Sequence, residues 1–290
     1  MEMAISEITL VVFTTIAPAG AIGYVLLAAA ILLTRDDAVA KRLSTYLVIP
    51  LLLALVGLIS SATHLGTPAN ALYVLTGIGR SPLSNEVVAA AVFLAFGGAA
   101  WILSFGHRRR DALSSFGLGF AALTALVFVE FVARAYSVET IPTWNFPAAP
   151  WTLWANALAS GPAVALLVYA CADIMAPRRF AFVAMAVSLC AVAVNIALLL
   201  FERAGLNGVV TTVARASDLM AFLPGALVAF AVLCCLGVTV CFLSATHRRF
   251  AALSKRRTRI AWCILGVAIA LIGCFAVRFS FYAMYMTWGI

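Results

Sequence analysis

A histidine, an arginine and a carboxylate stand between two strongly apolar runs in the stretch Thr63 to Glu86, THLGTPANALYVLTGIGRSPLSNE. His64 lies just past one run and Glu86 just inside the next, so a protein that crosses a membrane in both runs brings the pair to one face. An imidazole hydrogen-bonds a hydroxyl or carbonyl and exchanges its proton near neutral pH, and a carboxylate at a helix start in partly dry surroundings takes up a proton. Together they suit a quinol, whose two hydroxyl groups each lose a proton as two electrons leave. A ligand-free reading stands beside it: His64 caps the second helix and Glu86 favours the positive end of the third helix's dipole.

Two further sets of polar residues fall inside apolar segments. Glu130 and Arg134 are one turn apart near the end of the fourth run, and Arg278 and Tyr282 are likewise spaced in the last. Charges inside membrane segments are costly and face a cavity or a partner. Glu130 and Arg134 either neutralise each other or line a site. A haem held between helices takes two facing histidines, but His107 and His247 adjoin basic loops and His64 lies at the other face, so no haem is expected. No Walker, GxGxxG or HExxH motif is present, nor a histidine at metal-ligand spacing. Electrons taken from a quinol would therefore pass directly to another subunit.

The elements that must position these residues are membrane helices. Of 290 residues, 65% are hydrophobic and 10% charged, with a mean hydropathy of +1.10, whereas soluble domains carry about 25% charged residues. Eight apolar segments are long enough to cross the hydrocarbon, near 8–34, 44–62, 86–105, 113–133, 151–175, 180–200, 218–245 and 260–284. They predict an all-α integral membrane protein, a single domain over 1–290. Fourteen of the nineteen Lys and Arg residues fall in the loops after segments 1, 3, 5 and 7: Arg35, Lys41, Arg42, Arg108 to Arg110, Arg178, Arg179, Arg248, Arg249, Lys255 to Arg257 and Arg259. The positive-inside rule then places both termini and the loop from His64 to Glu86 outside. The net charge of +8 is a topology signal and needs no nucleic-acid partner.

The connections at the outer face are longer and rich in Pro, Gly, Trp and Tyr, as in RAYSVETIPTWNFPAAP from Arg134 to Pro150. Loops of that length carry function, or their Trp144, Trp151 and Trp154 anchor helix ends at the interface. Segment 3 ends SFGHRRR and segment 7 ends SATHRRF, which fits two parallel four-helix halves or simply two basic stops. The seven cysteines all lie in apolar runs without a CxxC pair and read as packing residues.

Four pieces in order resemble a known family, the membrane anchor subunit of dimethyl sulfoxide reductase and its relatives. They are LVVFTTIAPAGAIG in the first helix, THLGTPANA followed by SPLSNE, ARAYSVETIPTWN after the fourth helix, and VRFSFYAMY near the C-terminus. The resemblance implies an eight-helix, haem-free anchor in a prokaryotic cytoplasmic (inner) membrane. It would bind menaquinol and hold no iron-sulfur cluster of its own. Its partners would be a four-cluster ferredoxin-like iron-sulfur subunit and a molybdopterin-containing catalytic subunit. The family's quinol-site histidine and glutamate correspond to His64 and Glu86. Where the family pattern commonly has a Trp and an Arg before the glutamate, this sequence has Pro82 and Asn85, and Arg80 is the candidate for the missing charge.

The expectation is therefore a menaquinol-oxidising anchor near the outer face. His64 orients and deprotonates one hydroxyl, Glu86 accepts a proton, and Arg80, Tyr136, Arg278 and Tyr282 line the site. Two other classes fit a polytopic protein. A secondary transporter of a small solute would place polar groups near the bilayer midplane and break helices in matching positions, with Pro18 and Pro224 as its support. A purely structural anchor would bind no quinol.

Overall fold

The computed structural model describes residues 2–63, 73–74, 76–106, 112–212, 215–246 and 256–286. Among the described residues the regular structure is helical, with one isolated antiparallel bridge between Val210 and Arg215. A short α1 (Glu2–Ser6) leads into α2 (Ile8–Leu33), and α3 (Asp37–Thr45) with α4 (Val48–Ala62) makes the second span. Then follow α5 (Pro82–Leu103), α6 (Ala112–Ala135), α7 (Ala149–Cys171) and α8 (Arg178–Leu206). The seventh span joins α9 (Ala216–Leu219) through a 3-10 turn to α10 (Leu223–Thr246), and α11 (Arg256–Ala283) is the eighth. Among the described residues, eight helices are long and apolar enough to cross a membrane. The protein is a multi-pass membrane protein.

Several helix ends differ from those expected by a few residues, the second span beginning at 37 and not 44, and two of the differences bear on a buried carboxylate. Helix α5 starts at Pro82 and not at 86, because Pro82 is preset for a first helical position and Ser81 before it accepts a hydrogen bond from the Ser84 N–H. Glu86 thus lies within the helix. Helix α8 runs to Leu206 and not to 200: Glu202 and Arg203 end the apolar run without ending the helix. Glu202 is buried there.

Helices α2 and α7 form the centre. The first packs on α4, α6, α7 and α11, and the second on α2, α8, α10 and α11. Large apolar side chains on the outer helices, such as Val56, Phe96, Phe182, Val228 and Ile272, face outward as lipid requires. The inward faces carry small residues that let backbones meet closely. A Cβ at Gly20 would lie 2.6 Å from the Pro50 carbonyl, and one at Gly266 would lie 2.7 Å from that of Gly237. Gly237→Val is expected to force α10 and α11 apart, costing about 3 kcal/mol; size-exclusion profiles in mild detergent should show loss of the monodisperse folded peak. The seven cysteines are free, and Cys234, Cys241, Cys263 and Cys274 fill the same α10–α11 contact.

The two ends of the bundle are held differently. At the end where α8 and α11 begin, Arg256 donates to the Tyr46 hydroxyl (2.7 Å) and to the Cys171 carbonyl (2.6 Å), and Arg259 pairs with Asp173 at 3.4 Å. At the other end, α1 packs on α11 and Thr143 donates to the Met284 carbonyl at 2.6 Å. We term this second end the terminal face.

Candidate functional site

The buried residues of α5 recur as Glu86, Ala89, Ala90, Phe93 and Gly97, the three-to-four spacing of one helix face. Phe93 fixes that face inward, stacking on Phe128 of α6 at 6.0 Å between ring centroids and meeting Tyr24 of α2 edge-on at 5.4 Å. Glu86 heads the same stripe and has no choice but to point into the bundle. It is fully buried, and neither carboxyl oxygen finds a hydrogen-bond partner among the described residues. A carboxyl group held dry without a partner is costly.

Arg278 answers it from α11. Its place follows from another inward stripe, Ala270, Cys274, Val277, Arg278 and Phe281. The side chain is buried, its Nε donates to Thr14 Oγ1 of α2 at 3.2 Å, and Nη2 has no partner among the described residues. Pro18 has no N–H to donate to the Thr14 carbonyl, on the turn of α2 that meets the guanidinium. The Arg278 Cζ lies 4.5 Å from the ring centre of Phe281, 5.5 Å from that of Tyr282 and 5.6 Å from that of Tyr136. Such cation–π contacts are worth about 2 kcal/mol when dry. It lies within electrostatic range of Glu86 and of Glu202 of α8.

The connection after α6 closes this end. Trp144 is buried, stacks on Phe281 at 5.1 Å, lies edge-on to Tyr282 at 5.3 Å and to Tyr136 at 6.3 Å, and donates its Nε1–H to the Phe281 carbonyl at 3.1 Å. Trp144 is therefore a plug over the bundle and not an interfacial anchor, because its indole has ring partners and an acceptor inside. Trp151 is exposed, in keeping with an anchor.

Of the six residues singled out in the sequence, four come together: Glu86, Tyr136, Arg278 and Tyr282. Arg80 does not join them. It is exposed in the turn before α5, next to Gly79 with φ +79°. Asn85 has its own structural task there, its Oδ1 accepting from the Gly79 N–H at 2.7 Å, so the side chain tightens the turn. His64 lies outside the described residues, as do His107 and His247. Glu130 and Arg134 form an ion pair on an exposed surface, with Trp154 Nε1–H donating to Glu130 at 2.8 Å. They neutralise each other away from the buried cluster.

Sequence reasoning missed Glu202 and Asn195. The buried positions of α8 run 181, 184, 188, 191, 195, 199, 202 and 206, so an asparagine and a glutamate seven apart sit on one inward stripe of otherwise small or apolar residues. That periodicity was available in the sequence; ending the helix at 200 hid it. A small cavity is lined by Thr152 of α7, Asn195 and Leu199 of α8, and Val277, Arg278 and Phe281 of α11.

With four pieces of the same end assembled from α2, α5, α6 and α11, the match to known proteins becomes specific. The model of a family described as DMSO reductase anchor subunit (DmsC) matches residues 1–284. The protein belongs to that family. Among its relatives, the anaerobic dimethyl sulfoxide reductase subunit YnfH of Escherichia coli is 30% identical over 258 residues, covering 88% of this sequence and 87% of the relative. The C subunit of anaerobic dimethyl sulfoxide reductase from the same organism is 30% identical over 58% of this sequence and 59% of its own length. Its Haemophilus influenzae counterpart is 29% identical over 56% and 58%. Membership gives the eight-helix bundle a role as a membrane anchor of a dimethyl sulfoxide reductase type complex.

Proposed function

We propose that this anchor oxidises a quinol, menaquinol in the first instance, at the terminal face and hands its electrons to an iron-sulfur subunit seated there. The observation that carries the reading is the buried Glu86 carboxyl group, without a hydrogen-bond partner among the described residues and within electrostatic range of Arg278, Tyr136 and Tyr282. A quinol fits what these residues offer. Aromatic walls suit its ring, the carboxylate suits one hydroxyl, and the two phenols can donate to its oxygens. The bound quinol supplies the two electrons and both protons.

In this reading Glu86 accepts one hydroxyl proton and passes it outward, and His64 orients and deprotonates the other hydroxyl. Arg278, fixed by Thr14 and the rings, offsets negative charge as protons leave and needs no reorganisation at that moment. The terminal face is the outer face of a prokaryotic inner membrane, because the basic residues gather at the opposite end, and both termini are therefore outside. The electron acceptor is a four-cluster ferredoxin-like subunit, which supplies a molybdopterin-containing catalytic subunit. The buried charged groups lie towards the ends of the bundle and not at mid-depth, which disfavours transport.

Purifying the tagged protein from its native host in gentle detergent tests the assembly. Molybdenum and iron should both co-purify in stoichiometric amounts, and the complex should oxidise a reduced menaquinone analogue. A well-folded anchor that emerges alone, without either metal, overturns the proposal.

A further inference from the structure

Quinol oxidation releases two protons, and Glu86 is one buried carboxyl group. The bundle holds a second at the same end. Glu202 is 1% exposed, and neither of its carboxyl oxygens has a hydrogen-bond partner among the described residues. Asn195, two turns deeper on the same stripe, is fully buried with both amide atoms unpartnered among the described residues. Helices α5 and α8 share no extensive packed face, yet Glu86 and Glu202 both lie within electrostatic range of Arg278.

Between Arg278 and α8 lies the small cavity lined by Thr152, Asn195 and Leu199. Its polar wall offers the Asn195 amide, the Thr152 hydroxyl and the guanidinium of Arg278, whose Nη2 is unpartnered. Three such groups are the number that a buried water needs. Glu202 stands one turn from Leu199 of the cavity wall, on the same inward stripe as Asn195. Apolar membrane protein has no packing reason to bury an Asn and a Glu on one stripe; without partners they only destabilise. A proton carrier gives them a use.

We propose that Glu202 is a second proton acceptor of the quinol site, reached through the cavity beside Arg278, and that it releases its proton at the terminal face. The inference rests on the quinol reading above. The balance is complete: quinol loses two O–H protons and two electrons, the electrons leave to the iron-sulfur partner, one proton ends on the Glu86 carboxylate, and the other, once it has left its hydroxyl, ends on the Glu202 carboxylate. Each carboxylic acid then gives its proton to solvent and is reset. Arg278 stays charged throughout and holds no proton in transit, since a guanidinium does not deprotonate in proteins.

The test uses the intact complex with a reduced menaquinone analogue. Glu202→Gln should keep the wild-type affinity for the analogue and turn over about 10-fold to 100-fold more slowly, with a larger solvent deuterium isotope effect. Glu202→Ala should regain rate when formate is added, since a small acid can replace a lost proton carrier but cannot repair packing. Asn195→Leu fills the cavity without changing charge and should slow turnover alike, which keeps the test decisive if the Glu202 variants do not assemble. Wild-type turnover in Glu202→Gln or Asn195→Leu, or a Glu202→Ala defect that formate leaves untouched, overturns the proposal. A wild-type complex that does not oxidise quinol removes its basis instead, and that result is distinguishable from the others.

Discussion

Replacing Glu86 by Gln is expected to leave the complex assembled and to lower quinol oxidation by about 100-fold or more, the range that general-base groups supply. The substitution keeps the shape of the side chain and removes only its capacity to take a proton. Because the carboxyl group is fully buried and makes no hydrogen bond with the described residues, an amide in its place breaks no contact. Phe93, Phe128 and Tyr24 continue to hold α5 in register. Steady-state oxidation of a reduced menaquinone analogue, read beside co-purification of the partner subunits, measures both halves of the expectation. Full activity in an assembled Glu86→Gln complex would eliminate the proton role.

Arg278→Met should be the more damaging change, removing turnover and folded stability together. The methionine matches part of the stem's volume but leaves two buried carboxyl groups without the cation they share, and stranding a buried charge costs about 3–5 kcal/mol. The contacts with Phe281, Tyr282 and Tyr136 and the hydrogen bond to Thr14 are lost as well. Adding Glu86→Gln and Glu202→Gln to Arg278→Met removes the stranded carboxyl groups, so the triple variant should recover stability without recovering activity. Thermal unfolding in detergent measures the first and quinol oxidation the second. A triple variant no more stable than Arg278→Met would mean that the guanidinium acts through its ring contacts alone and not through charge. Arg278→Lys keeps the charge but not the planar stacking, and should fall between the parent and the methionine variant.

Much of this bundle is legible in the residues alone. Hydropathy places eight crossings because lipid admits little else than closed hydrogen-bonded helices, and eight helices are long and apolar enough to make them. Glu86, Arg278, Tyr136 and Tyr282 could be singled out because polar groups near apolar runs are few. What the sequence did not disclose is which way they turn. Arg80 and Arg278 are equally basic, yet one lies in an exposed turn and the other is sealed by Trp144 and Phe281, a difference set by contacts between residues more than 130 apart. Glu202 was hidden by a boundary: a charge that ends an apolar run looks like the end of a helix, although α8 carries it inward on a regular stripe. Asn85 and Pro82 shape the start of α5 and its preceding turn, a local geometry that residue types alone suggest only at Pro82.

The enclosure of α7 bears on how the protein is made. It is the least apolar of the eight spanning helices and has 89% of its spanning window buried, with Thr152, Asn156 and Ser160 all inside. Such a segment gains little from lipid as it leaves the insertion machinery, and three of the helices that surround it, α8, α10 and α11, are synthesised after it. During biogenesis α7 must wait, supported chiefly by α2, for the last helices to arrive. Arg278 and the perch for Trp144 come with the final one. A nascent anchor therefore cannot close its terminal face until α11 has been made, so the order of synthesis sets when that face exists.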